Sequence, residues 1–105
     1  MDKVYEYIFK NFNHNISLKN VAEVANMNKS AFSRLFKKVN NKPYSKYLNE
    51  IRIGYACKLL IENKYNITFI CYESGFNNIS NFNRQFKNIT SMTPSEYIKN
   101  ISNID

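Results

Sequence analysis

Between positions 4 and 98 the apolar residues recur every three or four places and never alternate over a sustained stretch, the rhythm of amphipathic helices rather than strands. Seven helices are predicted. The first opens with Asp2 as its N-cap, buries a face containing Val4, Tyr5, Ile8 and Phe12, and breaks at the Asn-rich residues 13–15. Ser17 caps a second, in which Leu18, Val21, Ala22 and Ala25 keep the i, i+3, i+4, i+7 spacing up to a turn at residues 26–28. A third, over about 29–39, buries Ala31, Phe32, Leu35, Phe36 and Val39. Pro43 suits the first turn of a fourth, the longest, which carries Tyr47, Leu48, Ile51, Tyr55, Leu59 and Leu60 to about Glu62. Asn66 caps a fifth holding Ile67, Ile70 and Cys71, and Gly75 stands where left-handed backbone would end it. A sixth, about 79–89, buries Ile79, Phe82, Phe86 and Ile89. Thr93, Pro94 and Glu96 make a capping box for a seventh through Tyr97 and Ile98, and the tail from about Ser102 is expected to fray.

The two halves repeat. At an offset of 50, Ser30, Phe32, Arg34, Phe36, Lys37 and Tyr47 recur as Ser80, Phe82, Arg84, Phe86, Lys87 and Tyr97. Upstream the offset is 49, with Ser17, Leu18, Val21 and Ala22 facing Asn66, Ile67, Ile70 and Cys71, so the second copy has one extra residue in its turn. Each copy is helix, short turn, helix: the helix-turn-helix arrangement, whose second helix can enter a major groove. The predicted architecture is therefore all-α, one domain over residues 1–105. Its parts are a first unit at about 17–40, a linking helix at about 43–62, a second unit at about 66–90 and a C-terminal helix at about 94–101.

Charge sharpens the reading. Fifteen Lys and Arg against eight Asp and Glu give a formal net charge of +7, which points to a polyanionic partner. Opposite the buried stripe of the third helix lie Ser30, Ser33, Arg34 and Lys37; fifty residues later the same places hold Ser80, Asn83, Arg84 and Lys87. Ordinary solvated faces mix both signs of charge. Here no acidic residue falls between Glu23 and Glu50, which enclose Lys29, Arg34, Lys37, Lys38, Lys42 and Lys46, and none between Glu73 and Glu96. A carboxylate beside a phosphate backbone would be repelled, so its absence suits groove docking. Arg can contact guanine with both arms, Asn can pair with adenine, and Lys meets phosphate. About 18 to 20 residues of linking helix span roughly 27 to 30 Å, near the roughly 34 Å between successive major grooves on one face of a duplex.

Other chemistry is excluded in turn. Two Gly and two Pro leave no glycine-rich loop for a nucleotide phosphate and little turn material for a many-stranded fold. Cys57 and Cys71 sit in apolar surroundings and read as reduced thiols of a cytoplasmic protein. His14, the one histidine, has no ligand-type neighbour at metal spacing, so neither a metal nor a cofactor is expected. Ser, Cys and His show no nucleophile and base arrangement, and an enzyme is not expected. The longest apolar run, residues 69–72, is far below the roughly 20 residues that cross a bilayer. No membrane partner is expected either, because the basic faces lack residues that would insert. Eight Phe and eight Tyr could suggest base stacking on single strands, but Phe32, Phe36, Phe82 and Phe86 fall on the buried stripes.

Within the second copy, Gly75-Phe76, Ser80, Phe82, Arg84, Phe86-Lys87 and Thr93-Pro94-Ser95-Glu96-Tyr97 resemble the signature of the AraC-type transcription regulators. The first copy fits too, through residues 34–38, Tyr47-Leu48, Arg52, Ala56 and Leu59-Leu60, so that the resemblance covers about residues 4–100. It implies a seven-helix DNA-binding domain with two helix-turn-helix units, acting on promoter DNA to activate or repress transcription with RNA polymerase as a further partner. Carried over position by position, the base readers would be Ser30, Ser33 and Arg34 in the first copy and Asn78, Ser80, Asn81, Asn83 and Arg84 in the second. Lys29, Lys37, Lys38 and Lys87 would meet phosphates. Family members often have glycine where this chain has Asn41 and Ser91; Asn tolerates positive φ better than Ser. Small Ser30 and Ser33 offer little direct readout, so the first copy is expected to position more than it specifies. Most members also carry an effector-binding or dimerisation domain, which this chain lacks: it reads either as an excised DNA-binding domain or as a small stand-alone regulator. The competing reading is a basic helical module that docks on an acidic protein without preference among DNA sequences.

Overall fold

The computed structural model describes residues 1–102. Among them are seven helices and no strand: α1 (Asp2–Asn11), α2 (Leu18–Val24), α3 (Lys29–Asn40), α4 (Tyr44–Glu62), α5 (Ile67–Glu73), α6 (Ile79–Thr90) and α7 (Pro94–Ser102). Beyond Ser102, which is still helical, the expected frayed tail lies outside the described residues. The chain divides into two compact units, Met1–Asn49 and Glu50–Asp105. α4 contributes its first residues to one and the rest to the other.

In the first unit Val4, Ile8, Val21, Ala22, Phe32 and Phe36 are essentially removed from solvent. The start of α4 closes this core: Tyr44 and Tyr47 meet the Phe36 ring edge to face, at 5.7 and 5.1 Å, and Tyr44 donates through its hydroxyl to the Ile16 carbonyl at 3.2 Å. Burial pushes the Tyr47 hydroxyl above the usual tyrosine range, reinforced by Tyr5 beside it. On the α1 side, the Tyr5 hydroxyl donates to Asn40 Oδ1 at 3.0 Å. The second unit buries Ile53, Ala56, Leu59 and Leu60 of α4 against Ile70, Cys71, Phe76, Phe82 and Phe86. Tyr97 takes the place of Tyr47, its ring edge on to Phe86 at 5.6 Å, and the Arg52 guanidinium lies 5.7 Å from the centre of the Phe76 ring.

Both inter-helix corners use one hydrogen-bond scheme. Met27 N–H donates to the Ala22 carbonyl and Asn26 N–H to Glu23; Phe76 N–H donates to Cys71 and Gly75 N–H to Tyr72. This is the Schellman closure, with the left-handed residue supplied by Asn26 (φ 57°) in one copy and Gly75 (φ 102°) in the other. The extra residue of the second copy is Asn77, between that closure and the next cap.

Several sequence expectations are corrected. Met1 occupies the cap position of α1 and Asp2 lies within the first turn, where its charge still favours the positive end of the helix. Pro43 precedes α4, and its carbonyl accepts the first intrahelical bond from Tyr47 N–H, so the linking helix starts at Tyr44. Val39 is 50% exposed, because the last turn of α3 turns Asn40 instead toward Tyr5. On α4 the deepest residues are Ile53 and Ala56, whereas Ile51 and Tyr55 are half-buried. On α5 the expected Ile70 and Cys71 are buried, Ile67 is half-buried, and Phe69 and Tyr72 of the apolar run are exposed. Ser74, in the second corner, is fully buried and its Oγ has no hydrogen-bond partner; the first corner has Ala25 there.

Candidate nucleic-acid interface

The exposed faces of α3 and α6 owe their orientation to what lies behind them and to how each helix begins. Asn28 and Asn78 cap the two helices, their Oδ1 atoms accepting from Ala31 N–H and Asn81 N–H at 2.8 Å in both cases. Behind, Phe32 and Phe36 in one unit and Phe82 and Phe86 in the other are fully buried, which sets the angle of each helix about its own axis. The opposite side must then face solvent, and Ser30, Ser33, Arg34 and Lys37 on α3 and Ser80, Asn83, Arg84 and Lys87 on α6 are all exposed. Lys29 and Lys38 are exposed as well.

Within the second unit the residues of this face differ in state. Asn81 is half-buried and its Oδ1 accepts from Arg84 Nη2 at 2.7 Å, which holds the guanidinium over the helix and restricts its rotamers. Asn78 is exposed, but its side-chain oxygen accepts the helix-cap bond, which leaves its two amide hydrogens as the donors it can offer outward. The repeat carried a signal for that role: Asn28, at the matching place, is a cap too. In the first unit, position 31 is alanine and offers Arg34 no acceptor of this kind.

The first unit instead has an open concavity of about 670 Å³ in front of α3, whose rim includes Ser17, Lys19, Lys29, Ser30, Ser33 and Arg34. No acidic residue lines it. Lys19 was not among the residues singled out from the sequence, since it belongs to α2 rather than to the second helix of the motif. The remaining chemistry is sparse. Among the described residues no group of three or more His, Cys, Asp or Glu could hold a metal, and no helix is long and apolar enough to cross a membrane. Cys57 and Cys71 are free thiols. Burial pushes both above the usual cysteine range; Tyr97 beside Cys57 and the Asn78 backbone beside Cys71 offset this only in part.

The chain matches the model of a helix-turn-helix domain family over residues 21–100. A transcriptional regulator of the HTH type from Bacillus subtilis (strain 168), YdeC, is 30% identical over 99 residues, covering 94% of this chain and 34% of that protein. For two other regulators of the same type the chain spans 38% and 57% of their length. Among solved structures, the C-terminal domain of AraT, a response regulator from Geobacillus stearothermophilus, superposes with a TM-score of 0.88 at 26% identity, covering 94% of this chain and 83% of that one. A DNA-binding transcriptional dual regulator from Escherichia coli K-12 gives 0.83 at 26% identity, over 95% and 89% of the two chains.

Proposed function

Because the chain belongs to the AraC-type helix-turn-helix family, we propose that it binds duplex DNA in a sequence-specific way as the DNA-contacting part of a transcription regulator. In this reading α3 and α6 each enter a major groove. Ser30, Ser33, Arg34, Ser80, Asn81, Asn83 and Arg84 face base edges, with Asn78 contributing through its amide hydrogens. Lys29, Lys37, Lys38 and Lys87 meet the backbone. RNA polymerase is the onward partner, the chain works in the cytoplasm on nucleoid DNA, and it performs no catalysis. Any effector control comes from a domain outside this chain.

The observation that carries the proposal is the matched pair of acid-free faces. Each is backed by two fully buried phenylalanines and held by an asparagine cap, and each presents hydroxyl, arginine and lysine groups at equivalent positions. Selection of bound sequences from a randomised duplex pool tests it, followed by affinity for the winner and for scrambled duplex over a salt series. Enrichment of an asymmetric site with two short elements about one helical turn apart is the expected result. Equal binding to every duplex would hand the basic faces to an acidic protein partner instead.

A further inference from the structure

Apart from Asn77 the two copies align position by position, yet their surfaces in front of the second helix do not carry the same charge. Lys19 and Lys29 on the rim of the first unit's concavity correspond to Thr68 and Ile79 in the second, while Arg34 corresponds to Arg84. Three cations therefore stand around this surface in the first copy against one in the second. The difference runs the other way for groups that read bases: Ala31 and Ser33 become Asn81 and Asn83. The concavity also carries the Ser30 and Ser33 hydroxyls, which can donate to phosphate oxygens, and no carboxylate lines it; Glu23 lines an adjoining groove with Lys19 and Lys29.

We propose that this concavity is a seat for a backbone phosphate of duplex DNA, held by Lys19 and Lys29, so that the first copy is the electrostatic anchor and the second copy the discriminator. The proposal rests on the DNA-binding reading above and adds to it a residue of α2, Lys19, outside the second helix of the motif. It divides the binding free energy by kind. Phosphate contacts contribute to every duplex alike and weaken with salt through counterion release, whereas contacts from Asn81, Asn83 and Arg84 distinguish one sequence from another.

The test measures affinity of the full chain for its selected duplex and for scrambled duplex from low to moderate salt. It compares wild type, the double variant Lys19→Thr with Lys29→Ile, which installs the second copy's residues, and the charge-preserving Lys19→Arg with Lys29→Arg. Circular dichroism establishes that each variant is folded. The Thr/Ile variant is expected to flatten the slope of log affinity against log salt by about 2, near 0.9 for each lysine. Both duplexes should weaken by the same factor, and the Arg pair should restore the wild-type slope. An unchanged slope in the folded Thr/Ile variant overturns the seat while leaving specific DNA binding intact. A change in sequence preference in that variant overturns the division of labour. Wild type that binds no duplex at all overturns the DNA-binding reading and the seat together.

Discussion

The two copies of the helix-turn-helix unit keep one framework and vary what is mounted on it. Where the framework is concerned, substitutions are between residues that solve the same physical problem: Asn26 for Gly75 at a left-handed corner, Asn28 kept as Asn78 at a cap, Tyr47 kept as Tyr97 against a phenylalanine ring. Where solvent is concerned the copies diverge freely, with Lys19 against Thr68 and Ser33 against Asn83, while the exposed Lys29 is matched by Ile79, which packs partly against the second core. A shared core under different surfaces is what a protein needs if its two halves meet the same kind of ligand at different sequences. The contrast also separates two sets of substitutions: those that should damage the fold in either copy, and those that should alter recognition in only one.

The largest effect is expected in the framework. Phe82 is fully buried among Phe76, Phe86 and the residues of α4, so Phe82→Ala should cost roughly 3 to 5 kcal/mol of stability. Its counterpart Phe32→Ala should cost a similar amount. Chemical denaturation of both variants measures this, and an unchanged midpoint for Phe82→Ala would take that ring out of the core. A smaller effect belongs to the surface. Arg84→Ala should leave the unfolding midpoint near wild type while losing about 1 to 3 kcal/mol of discrimination at one base pair. Retained wild-type preference would remove Arg84 from the readers. Arg34→Ala sharpens the contrast, because Arg34 has Ala31 where Arg84 has Asn81 to orient it, and its loss should relax specificity less.

Much of this framework was legible in the sequence for a physical reason: helix ends are local. Ser17, Asn66 and the Thr93/Glu96 pair act within three residues of themselves, so their types and spacing predict the caps that the structure contains. The repeat was legible because two phenylalanines four apart are fully buried in each unit, where a change of side-chain volume is costly. α4 was read less well. It serves Phe36 through Tyr44 and Tyr47 and the second core through Ile53 and Ala56, so its apolar residues do not form one stripe. A single periodic pattern found the buried Leu48, Leu59 and Leu60 but took the half-buried Ile51 and Tyr55 in place of Ile53 and Ala56. The cap role of Asn78 was not read from the sequence for a related reason. An exposed asparagine at the head of a recognition helix suits a base reader and a cap equally, and only the Oδ1 position separates them. Lys19 escaped notice because the motif directs attention to its second helix.

The starts of α4 and α7 offer a test in which the copies differ by chemistry. Thr93 and Glu96 exchange hydrogen bonds, Thr93 N–H donating to Glu96 Oε1 at 2.8 Å and Glu96 N–H donating to Thr93 Oγ1 at 3.1 Å. At the equivalent of Thr93 the first copy has Pro43, which has no side-chain acceptor. Thr93→Ala should therefore destabilise the second unit by about 1 kcal/mol. The Thr93 hydrogen bonds also hold the Glu96 carboxyl below the usual glutamate range. A carboxyl depressed in the folded state adds stability above its unfolded pKa and loses that contribution as pH falls through its folded value. Stability against pH should thus decline on the acid side less in Glu96→Gln, which keeps the box without titrating, than in wild type. Identical acid limbs would mean that the box does not couple to folding.

The smallest effect distinguishes the turns that follow α3 and α6. Asn41 and Ser91 occupy the same left-handed position, at φ 60° and 66°, and each donates its N–H back to a lysine carbonyl at 2.8 Å, Lys37 or Lys87. The backbone demand is equal, but the residues are not. A left-handed conformation costs an ordinary L-residue roughly 1 to 2 kcal/mol, and asparagine bears it more readily than serine. Glycine removes that cost and adds about 0.5 to 1 kcal/mol of unfolded-state entropy. The balance at Ser91 favours replacement, so Ser91→Gly should stabilise by about 0.5 kcal/mol, while Asn41→Gly should change little in either direction. Thermal unfolding of the two variants side by side resolves a difference of this size for a chain this small. Equal shifts would mean that Ser91 bears no more strain than Asn41, and that the absence of glycine from the second turn costs the fold nothing.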